Sequence, residues 1–281
     1  MVQSHSSIQT LGLIAGNGKF PILFAQKAKA LNIKVVAAAV RGDTSLLLKF
    51  FVDRLAWFKV GELKKLFVFF KEEGIDKVIM AGQVNPDNLF DEKVKLDQEF
   101  ENLYKALKDR KADTIFLAIA DKLREHGVEL LNSTFLLEEY LAPKGTLTKR
   151  APSLVELEDI EFGKNIAKAM GHLDVGQTVV VKEKAIVAIE AMEGTDRTII
   201  RGGQIARRGA VVVKVSKPQQ DKRFDIPVIG PQTIKSMLKG RASCIAIEAG
   251  KTLLIDRERT VDLANKANIC IVAAENKPHL H

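Results

Sequence analysis

The sequence predicts an α/β protein: an N-terminal Rossmann-like domain built on a parallel sheet, followed by a C-terminal α/β domain. Three observations carry this. Apolar runs of strand length alternate with segments of helical periodicity through the first half. A glycine turn, Gly16-Asn17-Gly18, joins the first strand to the first helix. Prolines and a glycine between residues 142 and 155 then separate this half from one of different texture.

Leu11-Gly-Leu-Ile-Ala15 is the first strand, and beyond Pro21 apolar residues recur at helical spacing as far as Leu31. Lys34–Val40 is a second buried strand, Leu63–Glu73 an amphipathic helix, and Lys77–Ala81 a further buried strand ending at Gly82. Strands that alternate with helices need right-handed crossovers, which make the sheet mostly parallel. From Leu89 to Leu131 the pattern is helical, with Leu96, Phe100, Leu103 and Leu107 three and four apart and an apolar helix around Ile115–Ala120. Pro143-Lys-Gly145 and Pro152 set the boundary, giving domains 1–145 and 146–281. The second half opens with a helix near Leu154–Met170. Strand-like Thr178–Lys182, Ala185–Glu190, Ala210–Val215 and Cys244–Glu248 follow, with Ile229-Gly-Pro231 opening another helix.

A chain of 281 residues with 46% hydrophobic content can bury two moderate cores. Its apolar runs, such as Ile115–Ala120, fall far short of the roughly 20 residues that cross a bilayer. Met1-Val-Gln-Ser-His-Ser-Ser lacks the basic segment and apolar core of a secretory signal, so a cytoplasmic location is expected. The two cysteines, Cys244 and Cys270, sit in apolar strand-like segments and read as reduced core residues. Without Cys-x-x-Cys or His-x-x-x-His spacing, zinc is not expected. The net charge of +8 favours an anionic partner: nucleic acid, acidic lipid or a phosphate-bearing substrate. Aromatics are only 6% and do not interleave with a basic motif, so nucleic acid is not the expected one.

Four segments hold residue types that bind or react. Glycines at the end of a strand let backbone N–H groups approach an anion at a helix N-terminus, which makes Ala15, Gly16, Asn17 and Gly18 candidates for a nucleotide phosphate. Pro21 stands in the region of the third glycine of the dinucleotide fingerprint, and a purely structural turn is the alternative. Ala81-Gly82-Gln83-Val84-Asn85-Pro86 closes another strand of the same sheet, where ligands of open α/β sheets gather, so Gln83 is a candidate contact to base or sugar. A plain turn is its alternative. Glu190, Glu193 and Asp196 surround Gly194 and Thr195 in a turn that can hold magnesium or sugar hydroxyls, or can simply be solvated.

The richest segment runs from Lys214 to Pro231. Three prolines keep it extended, and cations alternate with carboxylates along it. Cleaving a pyrophosphate needs a group that orients or deprotonates water and positive charge on the phosphate oxygens, often with magnesium held by few carboxylates. Asp225, Arg223 and Lys217 supply those types; a proline-rich surface loop is the alternative. Two rival functions remain. A nicotinamide oxidoreductase wants an acid about 20 residues after the glycine turn, where Asp43 comes late. A basic nucleic-acid-binding module would instead use the net charge alone.

Taken together, Leu11–Pro21, Ala81–Val84, Glu190–Asp196 and Lys217–Gly230 resemble the Rossmann-like UDP-2,3-diacylglucosamine pyrophosphatases of lipid A biosynthesis. The resemblance runs in order over nearly the whole chain, and Arg223-x-Asp225-x-Pro227-x-x-Gly230 is its most specific part. It implies hydrolysis of UDP-2,3-diacylglucosamine to UMP and 2,3-diacylglucosamine 1-phosphate, with Mg2+ as cofactor and water attacking the sugar-linked phosphorus. It makes Asp225 the catalytic carboxylate, Gly16, Asn17 and Gly18 substrate-binding backbone, and Gln83 and Thr195 polar contacts; Ala15, Lys217 and Arg223 complete the expected substrate-binding set on their own position and residue type. Metal ligands are sought among Asp225, Asp221, Glu190, Glu193 and Asp196. The expected partners are that substrate and its lipid phosphate product, with the basic surface touching anionic inner-membrane lipid at about 1 kcal/mol per nearby cation.

Overall fold

The computed structural model describes residues 8–84, 94–109, 111–217 and 220–275. Asn85-Pro86, the start of the helical pattern at Leu89, Pro218 and the tail histidines His5, His279 and His281 lie outside those residues. The chain divides into two units. One holds the residues up to Leu137 together with Lys222–Asp225; the other holds Glu138–Asp221 and Ile226 onward.

The first unit contains β1 (Thr10–Ala15), α1 (Phe20–Ala30), β2 (Lys34–Val40), β3 (Arg54–Phe58), α2 (Leu63–Glu72), β4 (Lys77–Ala81), α3 (Gln98–Ala106), α4 (Ala112–Glu125) and β5 (Glu129–Leu130). All five strands are parallel, in the order β3-β2-β1-β4-β5. Leu11 and Leu13 of the central β1, and Ala37 and Ala39 of β2, are fully buried, as expected where helices cover both faces of a parallel sheet. The alternation of strands and helices places β1, β2 and β4 correctly. It misses β3 and β5: β3 is a partly exposed edge strand of mixed polarity, Arg-Leu-Ala-Trp-Phe, and β5 is two residues long.

The second unit contains β6 (Gly145–Thr146), α5 (Leu154–His172), β7 (Thr178–Lys182), β8 (Ala185–Ile189), α6 (Thr195–Ala206), β9 (Ala210–Lys214), β10 (Val228–Ile229), α7 (Pro231–Lys239), β11 (Ala242–Glu248), β12 (Leu253–Leu254), α8 (Arg257–Lys266) and β13 (Cys270–Ala274). Six strands form a mixed sheet in the order β6-β13-β11-β9-β7-β8, with β9, β11 and β13 parallel to one another. β10 and β12 pair separately. Val180, Val212, Ile245 and Ile271 point into one core, and Val179, Val181, Val211 and Val213 into the other, so the sheet is covered on both faces. Cys244 and Cys270 face each other in register across β11 and β13, both buried and free.

Two local features explain how this unit closes. Ser153 caps α5, accepting from Glu156 N–H while the Glu156 carboxylate accepts from Ser153 N–H. α6 carries Gly202 and Gly203 in its interior, which lowers its helical signal in the sequence. A Cβ on Gly202 would stand 2.7 Å from the Val180 side chain and one on Gly203 2.0 Å from Gly240 O. The glycines let α6 lie directly on β7 and α7, so packing selects residues that propensity disfavours. Among the described residues no helix is long and apolar enough to cross a membrane.

Candidate active site

In the first unit the connection leaving β1 leads to β2 on one side, while β4 lies on the other and leads towards β5. Such a reversal opens a crevice at the carboxyl ends of the two strands, the usual ligand position in open α/β sheets. The Gly16–Gly18 turn stands there. Gly16 N–H donates to Ala81 O at 2.9 Å, Asn17 N–H to Gln83 O at 2.7 Å and Gly18 N–H to Asn17 Oδ1 at 2.6 Å. A Cβ on Gly16 would meet Gln83 O at 2.6 Å, and one on Gly82, at φ +86°, would meet Asn17 O at 2.4 Å. The glycines therefore serve a backbone-to-backbone contact between two turns, and their N–H groups bond protein acceptors instead of facing outward as expected. Ala15 is buried and its carbonyl accepts from Thr44 Oγ1. What this edge presents to solvent is the side chains of Asn17 and Gln83, both exposed and joined through their backbones.

Asp225 belongs to the same unit as part of Lys222–Asp225, although the chain immediately before Lys222 and after Asp225 does not. Ser133, just beyond β5, donates its N–H to Lys222 O at 2.9 Å. Its hydroxyl lies 2.5 Å from Arg223 O and 2.7 Å from Met80 O of β4. Phe224 stacks on Phe116 of α4, with ring centroids 5.4 Å apart, and joins the core beneath that helix. One buried serine and one aromatic pair thus fix the short segment Lys222–Asp225 beside the carboxyl end of β4, the strand that leads into Gln83. Arg223 and Asp225 are half-buried there. Nothing in Leu131-Asn-Ser-Thr134 singles out Ser133 in the sequence.

In the second unit the carboxyl end of the sheet carries two buried polar clusters. Lys214, ending β9, donates its ammonium to Thr195 Oγ1 at 2.7 Å; Thr195 donates to Glu190 Oε1 at 2.7 Å. Glu190 Oε2 stands 4.0 Å from Lys214 Nζ. Glu193 accepts from Arg201, Thr198 and Ala191 N–H; burial disfavours its charge, but these donors hold its carboxyl below the ordinary carboxylate range. Glu248 accepts from Ser216 and pairs with Lys168 at 2.7 Å. Lys217 pairs with Asp174 at 2.6 Å. Thr195, Glu190, Glu193 and Lys217 therefore each have partners within this unit. Asp196 and Asp221 are half-exposed.

Among the described residues no three metal-ligating side chains converge. Magnesium needs fewer, since it keeps waters and takes one or two carboxylates together with substrate phosphates. Glu193 and Oε1 of Glu190 are already engaged by protein donors, while Glu190 Oε2 is buried without a hydrogen bond. His126 stacks on Phe67 at 4.6 Å and His172 ends α5. β2 ends at Val40 without a carboxylate, and Asp43 lies in the turn beyond, its N–H bonded to Val40 O. A nicotinamide site places its ribose-binding acid at the end of that strand, a position held here by Val40.

Residues 10–140 match the LpxI N-terminal domain and residues 143–272 the LpxI C-terminal domain. A UDP-2,3-diacylglucosamine pyrophosphatase LpxI of Caulobacter vibrioides is 31% identical, over 95% of this chain and 98% of that one. Among solved structures, a pyruvate carboxylase of Rhizobium etli bound to acetyl coenzyme A is 15% identical over 68% of this chain and 15% of that one, with a TM-score of 0.29. The biotin carboxylase domain of a 2-oxoglutarate carboxylase from Hydrogenobacter thermophilus is 15% identical over 70% of this chain and 41% of that one, with a TM-score of 0.27. Superpositions this partial carry no functional information.

Proposed function

The chain belongs to the LpxI family, and on that premise we propose that it hydrolyses the pyrophosphate of UDP-2,3-diacylglucosamine, yielding UMP and 2,3-diacylglucosamine 1-phosphate, with Asp225 as its catalytic carboxylate. The observation that carries the assignment to Asp225 is the anchoring of Lys222–Asp225 by Ser133 beside the carboxyl end of β4, at the crevice edge of the sheet. A carboxylate so held can orient a water or take its proton, while Arg223 meets charge that develops on the phosphate oxygens. Asn17 and Gln83 offer exposed amides for the nucleotide, with Gly18 exposed beside them and the buried Ala15 and Gly16 beneath. Thr195 and Lys217, proposed as further substrate contacts, are held in the polar clusters of the second unit, the first by Glu190 and Lys214 and the second by Asp174.

Magnesium fits this donor set. Asp225 and the two phosphates of the substrate would hold it, and its charge would then reside on the pyrophosphate where negative charge builds. Water attacking the sugar-linked phosphorus places its oxygen in the lipid phosphate and leaves UMP with the bridging oxygen. The enzyme works at the cytoplasmic face, its net charge of +8 favouring anionic inner-membrane lipid. Incubation with the substrate in 18O-labelled water tests the reading. Label in 2,3-diacylglucosamine 1-phosphate is the expected outcome, label in UMP would move the attack to the other phosphorus, and turnover unchanged by excess chelator would remove magnesium.

A further inference from the structure

Ser133 stands out because its bonds cross the chain to one short segment. It is 1% exposed, it follows the two-residue strand β5, and its hydroxyl partner Arg223 lies 90 residues further on. Its orientation is set locally: Asn132 Oδ1 accepts from both the N–H and the hydroxyl of Thr134, which fixes the turn that aims Ser133 at β4. From there its N–H reaches Lys222 O and its single hydroxyl proton is shared between Met80 O and Arg223 O. Phe224 on Phe116 supplies bulk to the same segment, but a ring stack permits rotation about its normal. The two hydrogen bonds at Ser133 fix the peptide groups on either side of Arg223, and with Phe224 stacked on Phe116 they hold the chain up to the residue that precedes Asp225.

We infer that Ser133 is a positioning residue for the reaction: it clamps the peptide units that precede Asp225 to the end of β4 and so holds that carboxylate in register with the substrate. The inference rests on the reading of Asp225 as the catalytic carboxylate. Ser133 touches no reacting atom. Loss of its hydroxyl frees the Arg223 carbonyl to rotate, and a displacement of about 1 Å at a reacting group costs on the order of 10²-fold in rate.

The experiment is a double-mutant cycle on the full chain with UDP-2,3-diacylglucosamine, read as single-turnover rate and as substrate affinity. Ser133→Ala is expected to lower the rate by about 10²-fold with affinity little changed, and to have no further effect in the Asp225→Asn background. A near-normal rate in Ser133→Ala overturns the inference. So does an equal loss in both backgrounds, because a merely structural defect acts whether or not the carboxylate is present. Normal turnover by Asp225→Asn alone instead overturns the assignment of Asp225, a distinguishable failure. If Ser133→Ala does not fold, Ser133→Cys, which keeps the volume with a weaker donor, goes through the same cycle and is read the same way.

Discussion

Asn17 N–H donates to Gln83 O at 2.7 Å, which locks the turn after β1 to the turn after β4. The two strands are parallel neighbours with Ala15 opposite Ala81, and two residues further on the turns are tied by an isolated antiparallel bridge that makes the crevice edge rigid. The same contact leaves no room at Gly16, whose Cβ would stand 2.6 Å from a backbone oxygen that cannot swing away.

Gly16→Val is therefore expected to act on folding. A branched side chain must push the Gln83 turn aside, and overpacking of this kind costs typically about 1–3 kcal/mol. Thermal unfolding measured beside substrate affinity checks it. A variant with wild-type melting and lost affinity would return Gly16 to a direct role at the ligand.

Asn17→Ala and Gln83→Ala should behave differently. Both side chains are exposed, so their removal is expected to leave stability within about 0.5 kcal/mol. Each should raise KM by roughly tenfold, the loss of about one hydrogen bond. Steady-state kinetics of both variants decides; unchanged KM in both would place nucleotide recognition elsewhere.

Acid should weaken the second unit through Glu156. Burial opposes its charge, but hydrogen bonds from Arg150, Ser243 and Ser153 N–H outweigh that and hold the carboxyl at about 2, against an ordinary 4.5. The Arg150 contact is bidentate, at 2.7 and 2.9 Å. A carboxylate whose pKa is depressed by folding contributes stability that is complete above about pH 4.5 and is lost as pH falls towards 2. Glu156→Gln should lower the melting temperature at neutral pH and flatten its decline between those limits. A wild-type acid limb in that variant would show that another group carries it.

Much of this was legible in the sequence, for physical reasons that differ by element. Lys34–Val40 and Lys77–Ala81 read as buried strands because a sheet covered on both faces demands continuous apolar runs. The segment around Asp225 stood out through its prolines and clustered charges, and its likeness to a family gave that carboxylate a role. Ser133 could not be read, since the role inferred for it lies in contacts with carbonyls far along the chain, which any residue type supplies. Thr195 and Lys217 could be named but not described. The sequence shows a threonine after glycine and a lysine in a basic run, whereas their bonds to Glu190 and Asp174 depend on strand order. Lys214 did carry a signal: a lysine closing Ala-Val-Val-Val must either escape the core or find partners inside it, and it finds Thr195 and Thr178.

Arg223→Ala separates charge from chemistry at the segment. A guanidinium that meets phosphate in the ground state as well as in the transition state should, when removed, weaken binding and rate together. A change in kcat with intact affinity would mean that Arg223 acts only as the transition state forms.

The measurement that bears most directly on the central claim is turnover of Asp225→Asn at saturating UDP-2,3-diacylglucosamine, beside a direct binding titration. The amide keeps the shape of the side chain and the anchoring of its segment while abolishing its charge and basicity. Turnover should fall by about 10²–10⁴-fold with binding retained. Turnover near that of the unaltered protein, with substrate bound normally, would contradict the account and move the catalytic carboxylate away from Asp225.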